Sequence, residues 1–367
     1  MKTIYFITPD MPVHSAGVLN IYKNVIALNK FGFKAYVVHF SKQFEKIKWA
    51  KFGKDLPFLK FYYLDQLFVV NDKGQFIKTN KQFGSDDVFV VPEGFPMFFP
   101  IFKQQFKFNC KMVMYAQGWS YIIPSLGQIF NGQIPNLQQI GVDHIVTISE
   151  ETKKYIVDCF SFPEELISIV DNYIDPNLFN LNLGKETTDV VEEDENGDLS
   201  VVSKEIDVEK KNMICFMPRR GVEIWYQTIL LLANSTKKIN GWEIKPLINM
   251  TQEQVAEELK RSKIFLHYTD GEGFGYPPLE ARMTGNVIVG NSGLGSDAFL
   301  GDYSHWIQPN DLKNPYHWVE AIERAIAMCG EVDYKEVELS NAKYVEKYSF
   351  NNYLKQLNDT YKKIIGE

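Results

Sequence analysis

One pattern occurs twice along this chain: a short apolar run that ends in turn residues, a segment of helical periodicity, then another apolar run. Runs without polar alternation read as strands buried on both faces, the way parallel strands read. A strand–helix–strand series of that kind folds into βαβ units of a parallel sheet. In the first stretch Thr3–Thr8 (TIYFIT) is such a run. Ser15 caps a helix with Val18, Ile21, Tyr22, Val25, Ile26 and Leu28 at three- and four-residue spacing, stopped by Gly32. Lys34–Phe40, Val88–Val91, Met112–Tyr115, His144–Ile148 and Ile167–Val170 read as further strands, with a helix capped by Ser149 before the last. The second stretch repeats this with strands at Met213–Met217, Glu243–Ile248, Ile264–His267 and Val287–Val289. Its helices cover Tyr226–Ala233, the capping-box segment from Thr251 to Leu259, a segment from Pro278, Pro315–Met328 and about 351–365.

Residues 180–211 interrupt the pattern with ten acidic residues against four lysines. Within them Glu195-Asn196-Gly197-Asp198 has the sequence of a tight primed turn, so the segment reads as a linker or a hairpin insertion. The expected organisation is a first α/β domain over 1–179, this insertion over 180–211, a second α/β domain over 212–348, and a closing helix over 349–367 that returns to the first domain. A chain of 367 residues that is 45% hydrophobic and 23% charged can build two cores.

No window approaches ~18 consecutive apolar residues, and the first residues lack the pattern of a signal peptide. Cys110, Cys159, Cys215 and Cys329 are scattered without metal-ligand spacing. They read as reduced, mostly packed thiols of a cytoplasmic protein with no metal site. The net charge of −7 conceals a basic start, with sixteen lysines against eight acidic residues in 1–111. Residues 42–52 (KQFEKIKWAKF) interleave lysines with aromatics. They read either as a solvated lysine face or as a peripheral contact for an anionic inner-membrane surface or a phosphorylated acceptor. A nucleic-acid partner is not expected, since no recognised module is present and the whole is acidic.

In doubly wound sheets ligands bind beyond the carboxyl ends of the strands, so the informative residues should follow strands. After Ile264–His267 comes Asp270-Gly271-Glu272-Gly273-Phe274-Gly275-Tyr276-Pro277-Pro278-Leu279-Glu280. Gly273 and Gly275 let backbone N–H groups approach a ligand, and Pro278 suits a first helical turn. Free N–H groups at that helix start suit a diphosphate, Glu280 a ribose, and Glu272 on the loop a sugar. After Met213–Met217 come Arg219 and Arg220, in a chain with five arginines in all. Their planar donor forks match phosphate oxygens. Gly17 follows the first strand, and Gln117 follows Met112–Tyr115.

The segment EGFGYPPLEARMTG resembles the Glu-x7-Glu motif of retaining glycosyltransferases of family 4, typically EGFGLPPLEAMACG, and Met217-Pro218-Arg219-Arg220 resembles the family's YMPRK segment. Ile145–Glu150 and Val170–Asp175 are similar to its VTVSE and IPNGID segments, and Ser292-Gly293-Leu294-Gly295 to a later loop. The resemblance implies an α/β GT-B fold: two Rossmann-like domains facing a cleft, with the final helix crossing back. It implies that Glu272, Arg219 and Arg220 are candidate catalytic residues, the arginines neutralising the departing diphosphate. Gly17, Gln117, Gly273, Phe274, Gly275, Pro278, Leu279 and Glu280 become candidate donor-binding residues. The family often has Gly-Gly where this chain has Ala16-Gly17, and a histidine where it has Gln117, with Trp119 beside it and His14 and His144 as other imidazoles.

The implied activity is retaining transfer of a sugar from a UDP-, GDP- or dTDP-linked donor to a carbohydrate, lipid-linked or protein acceptor. No Asp-x-Asp occurs, so no cofactor or metal is expected. The alternatives are a GT-B sugar-nucleotide epimerase and a catalytically silent accessory subunit.

Overall fold

The computed structural model describes residues 2–11, 15–41, 53–182, 185–193, 199–207, 209–235, 239–300 and 306–366. Two compact units divide the chain: residues 1–173, 271–274 and 350–367 form unit 1, and residues 174–270 and 275–349 form unit 2.

Unit 1 contains β1 (Thr3–Thr8), α1 (Ala16–Lys30), β2 (Lys34–His39), β3 (Phe61–Tyr63), α2 (Leu64–Leu67), β4 (Phe68–Val70), β5 (Phe76–Thr79), β6 (Asp87–Pro92), α3 (Phe98–Pro100), β7 (Lys111–Ala116), α4 (Trp119–Ile129), β8 (His144–Thr147), α5 (Glu150–Phe160) and β9 (Ile167–Ile169). Its seven-stranded sheet runs β3-β2-β1-β6-β7-β8-β9, with every pairing parallel. The fully buried β1 and β6 follow from their unbroken apolar runs. Ser15 caps α1, accepting a hydrogen bond from the Val18 amide at 3.5 Å, and Ser149 caps α5 from Thr152 at 3.2 Å. One side of the sheet buries an aromatic cluster, with Phe102 at 4.7 Å from Phe89 and 5.0 Å from Phe68 between ring centres. A small antiparallel pair, β4–β5, covers part of that cluster.

The acidic insertion forms β10 (Lys185–Glu193) and β11 (Leu199–Asp207), paired antiparallel from Lys185↔Asp207 to Glu193↔Leu199. The expected Asn-Gly turn lies outside the described residues, as do residues 42–52. Unit 2 continues with β12 (Lys211–Phe216), α6 (Val222–Ser235), β13 (Glu243–Pro246), α7 (Gln252–Arg261), β14 (Ser262–His267), α8 (Tyr276–Met283), β15 (Val287–Gly290), α9 (Asp297–Leu300), β16 (Trp306–Ile307), α10 (Pro315–Met328) and α11 (Tyr334–Lys347). Its sheet, β13-β12-β14-β15-β16, is again parallel throughout. Trp225 of α6 and Trp318 of α10 meet edge-on at 4.7 Å in its core.

The last helix, α12 (Phe350–Ile365), belongs to unit 1. Tyr361 packs 5.7 Å from Phe6 of β1, and the Tyr353 hydroxyl donates to Asn24 of α1 at 2.8 Å. The four cysteines are free thiols, with Cys159 exposed. Among the described residues no helix is long and apolar enough to cross a membrane.

Candidate functional site

A parallel sheet opens a crevice where the winding direction reverses, and in unit 2 that point lies between β12 and β14. The loops leaving those two strands carry Arg219–Arg220 and the segment 268–275. Arg219 is exposed. Arg220 is partly buried, and its Nη1 donates to Thr269 Oγ1 at 2.5 Å. Gly221 (φ +65°) follows, where a Cβ would come within 2.7 Å of the Tyr268 ring, so the arginine loop lies against the loop after β14. Thr269 is tied in turn to the loop after β15: its N–H donates to Asn291 Oδ1 at 3.0 Å and its carbonyl accepts from Asn291 Nδ2 at 2.6 Å. Three strand-end loops are thus held as one platform.

His267 closes β14 inside this platform and is buried, with Nε2 unpartnered. Burial, reinforced by the Arg220 charge, lowers its pKa to about 3, so the ring is neutral near pH 7. Tyr268 donates to Asp270 at 3.1 Å.

Gly275 caps α8 with φ 84° and ψ 63°. A Cβ there would sit 1.9 Å from Ser296 Oγ, so conformation and space both require glycine. Pro277 and Pro278 occupy the first turn of α8 and carry no N–H, which leaves Tyr276 as the amide donor among its first three residues. The helix start therefore offers fewer donors than a row of free amides. Leu279 is fully buried in the core, while Pro278 and Glu280 are also buried on α8.

Unit 1 holds the loop Gly271–Phe274. Gly273 lies over the end of β7, where a Cβ would fall 2.0 Å from the Gln117 carbonyl oxygen. Its own carbonyl accepts from Ser149 Oγ at 2.9 Å, and the Glu272 carbonyl accepts from Trp119 Nε1 at 2.9 Å. The Glu272 side chain is half-buried and Phe274 is buried. Gln117 Nε2 donates to the Gly17 carbonyl at 3.2 Å, and Oε1 faces Asn20 Nδ2 at 3.5 Å. Gly17, Gln117, Glu272 and Gly273 are thereby gathered around one turn, residues 117–119. His144 opens β8, at the amino end of the sheet, bonded to Ser168 at 3.0 Å. It is remote from that turn, and His14 lies outside the described residues.

Glu93, which follows β6, was not singled out by sequence pattern. It is buried, and its Oε1 accepts from the Gln117 N–H at 3.1 Å, with the Gly118 N–H a further donor. Desolvation pushes its pKa up to about 7 against those N–H bonds. The available signal was an acid placed directly after an apolar run, in Val88–Glu93. Thr269 and Asn291 carried none, being polar residues in loops of ordinary composition.

Among the described residues no group of three or more His, Cys, Asp or Glu side chains is arranged to hold a metal ion. No protein-family model matches this sequence, and no curated protein matches it. Solved structures do. A glycosyltransferase from Rickettsia africae superposes with a TM-score of 0.64 at 14% identity, over 99% of this chain and 98% of that one. The pneumococcal O-GlcNAc transferase GtfA, in complex with UDP and GlcNAc, gives 0.62 at 9% over 100% and 99%. HepE of Anabaena, in complex with UDP-glucose, gives 0.62 at 10% over 99% and 100%. The fold is GT-B. Its second Rossmann-like unit carries both arginines, Gly275 and the start of α8 beside the sheet's switch point, and its first holds the Gly271–Phe274 loop against Gln117.

Proposed function

We propose that this chain is a glycosyltransferase that moves a sugar from a nucleoside-diphosphate sugar to a carbohydrate, lipid-linked or protein acceptor. The observation that carries the reading is topological. The strands flanking the switch point of unit 2, β12 and β14, lead into Arg219–Arg220 and into Glu272–Glu280, with Arg220 held to Thr269 between them. That is where an α/β sheet binds its ligand, and the guanidinium groups present the donors a diphosphate needs. Arg219 and Arg220 neutralise the departing diphosphate, Glu280 takes the ribose, and Glu272 faces the sugar. Gly17, Gln117, Gly273 and Phe274 in unit 1, and Gly275, Pro278 and Leu279 in unit 2, are the further donor-binding residues of this reading. Full-length similarity to GT-B structures, some bearing UDP or UDP-glucose, supports a nucleotide-sugar donor.

The reaction proceeds with retention, as the resemblance of the EGFGYPPLE segment implies, through attack on the face from which the diphosphate leaves. Charge on that diphosphate is met by side chains and backbone amides, without a divalent metal. The interleaved lysines and aromatics in the sequence of residues 42–52 support work on the cytoplasmic side with peripheral contact at an anionic inner membrane face, over the alternative of a solvated lysine face.

Nucleotide release from a panel of UDP-, GDP- and dTDP-sugars, with and without acceptor and with EDTA, tests the reading. Acceptor-dependent release from one donor, insensitive to EDTA and lost in Arg219→Ala and Glu272→Gln, is expected. Wild-type rates in both variants overturn the assigned site.

A further inference from the structure

Several features stand apart from the proposed donor residues. A cavity of about 650 Å³ in unit 1 is lined by Phe40, Phe76, Phe95 and Phe98, but nothing in the structure says what fills it. Lys210 is half-buried, with its ammonium donating to three carbonyls, Leu259, Lys260 and Ser262, so all its donors are used within the fold. Val222, Tyr226 and Leu230 leave an apolar stripe exposed on α6, again without an indicated partner. Glu93 differs from these, because the amides it binds, those of Gln117 and Gly118, belong to the turn on which the Glu272 loop sits.

The chain of contacts is short. β6 ends at Pro92, and Glu93 places its carboxylate under the turn that leaves β7. There the Gln117 and Gly118 amides, which have no partner in the β ladder beyond Ala116, donate to it. A buried carboxylate is costly unless it is hydrogen-bonded, and these N–H groups are its compensation. The turn so fixed is the seat of the loop from Gly271 to Phe274. The Gln117 carbonyl faces Gly273 too closely for any side chain, Trp119 donates to the Glu272 carbonyl, and Ser120 lies 2.9 Å from where a Cβ on Gly271 would sit.

We propose that Glu93 is a positioning residue: by holding the 117–119 turn, it sets the seat of the Gly271–Phe274 loop and hence the placement of Glu272. What the placement achieves rests on the glycosyltransferase reading above, whereas the placement itself does not. Glu93 reaches Glu272 through the backbone and has no assigned contact with substrate. Its acceptor function survives in glutamine, is lost in leucine, and is displaced by one methylene in aspartate. The three variants therefore separate hydrogen bonding from charge and from reach.

The test is hydrogen–deuterium exchange on the full-length protein, with donor titrations alongside. In Glu93→Leu the peptide covering Gly271–Phe274 should exchange at least ~10-fold faster, and α10 should keep its wild-type protection. Glu93→Asp should loosen the same peptide, and Glu93→Gln should leave it near wild type. In transfer assays the leucine and aspartate variants should lose kcat by ~10²-fold with donor KM within about twofold, and glutamine should recover most of it. Wild-type protection of Gly271–Phe274 in the leucine variant overturns the proposal. Should that variant not fold, wild-type protection in the aspartate variant overturns it equally. A wild-type protein that transfers no sugar removes the functional reading, while the exchange data still decide the role of Glu93.

Discussion

The Cα of Gly273 rests so close to the carbonyl of Gln117 that a methyl group there would lie 2.0 Å from the oxygen. The nearest obstacles are backbone atoms, Gln117 O and C and Gly118 Cα, which cannot swing aside as a side-chain tip can. Gly273→Ala must therefore lift the Gly271–Phe274 loop from its seat. The expected result is a loss of transfer of ~10²-fold, with the melting of the remainder of the protein nearly unchanged. Steady-state kinetics and a thermal melt check both halves. Gly17 offers a contrast, since a Cβ there would meet the Gln117 amide group at 3.3 Å, a mobile tip. Gly17→Ala should cost far less.

Arg219 and Arg220 should not behave alike. Arg219 is exposed, and among the described residues no hydrogen bond or ion pair holds its guanidinium, so its removal should act on transfer alone. Arg220 also fixes Thr269, and through it Asn291, so its loss should loosen the platform. Loss of one cationic donor at a departing oxyanion typically costs ~10²–10³ in rate. Arg219→Ala should fall within that range and keep its thermal stability. Arg220→Ala should fall at least as far and also weaken nucleoside-diphosphate stabilisation in a thermal-shift assay. Arg220→Lys should recover part of the binding but not the bidentate geometry.

Much of this was legible from residue order. Thr3–Thr8 was expected as a strand with the boundaries found, and the caps at Ser15, Ser149 and Thr251 formed as their side chains imply. These signals are local: an apolar run, a hydroxyl before a helical pattern. α4 was missed because Gly118 gives it no side-chain cap, and Pro124 and Gly127 lie within it as apparent breakers. α11 was missed because few of its apolar residues are buried, and Leu339 points to solvent at 78% exposure. β3 and the β4–β5 pair, three or four residues each, are too short for periodicity to show. At the candidate site the glycines and charges announced themselves, but their supports did not. Glu93, Thr269 and Asn291 matter through partners far away in sequence, which local pattern does not encode.

Glu93 also makes a prediction about stability. Its carboxyl titrates at about 7 in the fold against 4.5 unperturbed, so ionising it is harder in the folded state. The sign follows from linkage: a carboxyl with a raised folded pKa contributes stability at low pH that is lost as pH rises from about 4.5 to about 7. The loss is on the order of 3 kcal/mol. The titratable group that responds to its charge is Tyr115, whose hydroxyl is driven well above its usual pKa mainly by burial, so it stays neutral throughout this window. Glu93→Gln has no charge to desolvate. Urea melts at pH 5 and pH 8 should show the variant gaining on the wild type as pH rises. A constant difference between the two would mean that Glu93 does not titrate in the fold as its burial implies.

Three buried histidines push the other way. His39 is fully buried, its Nδ1–H donating to Asp10 at 2.8 Å and its Nε2 accepting from Tyr22 at 3.2 Å. Burial lowers its pKa to about 4, and it lowers those of His144 to about 4 and His267 to about 3. In the unfolded chain each takes up a proton near pH 6.5, whereas in the fold none does until the pH is much lower. A depressed folded pKa contributes stability that is present above the unfolded value and lost as pH falls through the window between 6.5 and about 4. Each histidine costs about 1.4 kcal/mol per pH unit within it. Denaturant midpoints should therefore fall steeply between pH 7 and pH 5, despite the partial compensation from Glu93. His39→Gln, which cannot protonate, should have a lower stability at pH 7.5, because the Asp10–His39–Tyr22 bonds are disturbed, but a shallower decline toward pH 5. Parallel declines in variant and wild type would show that the His39 ring does not drive the acid loss.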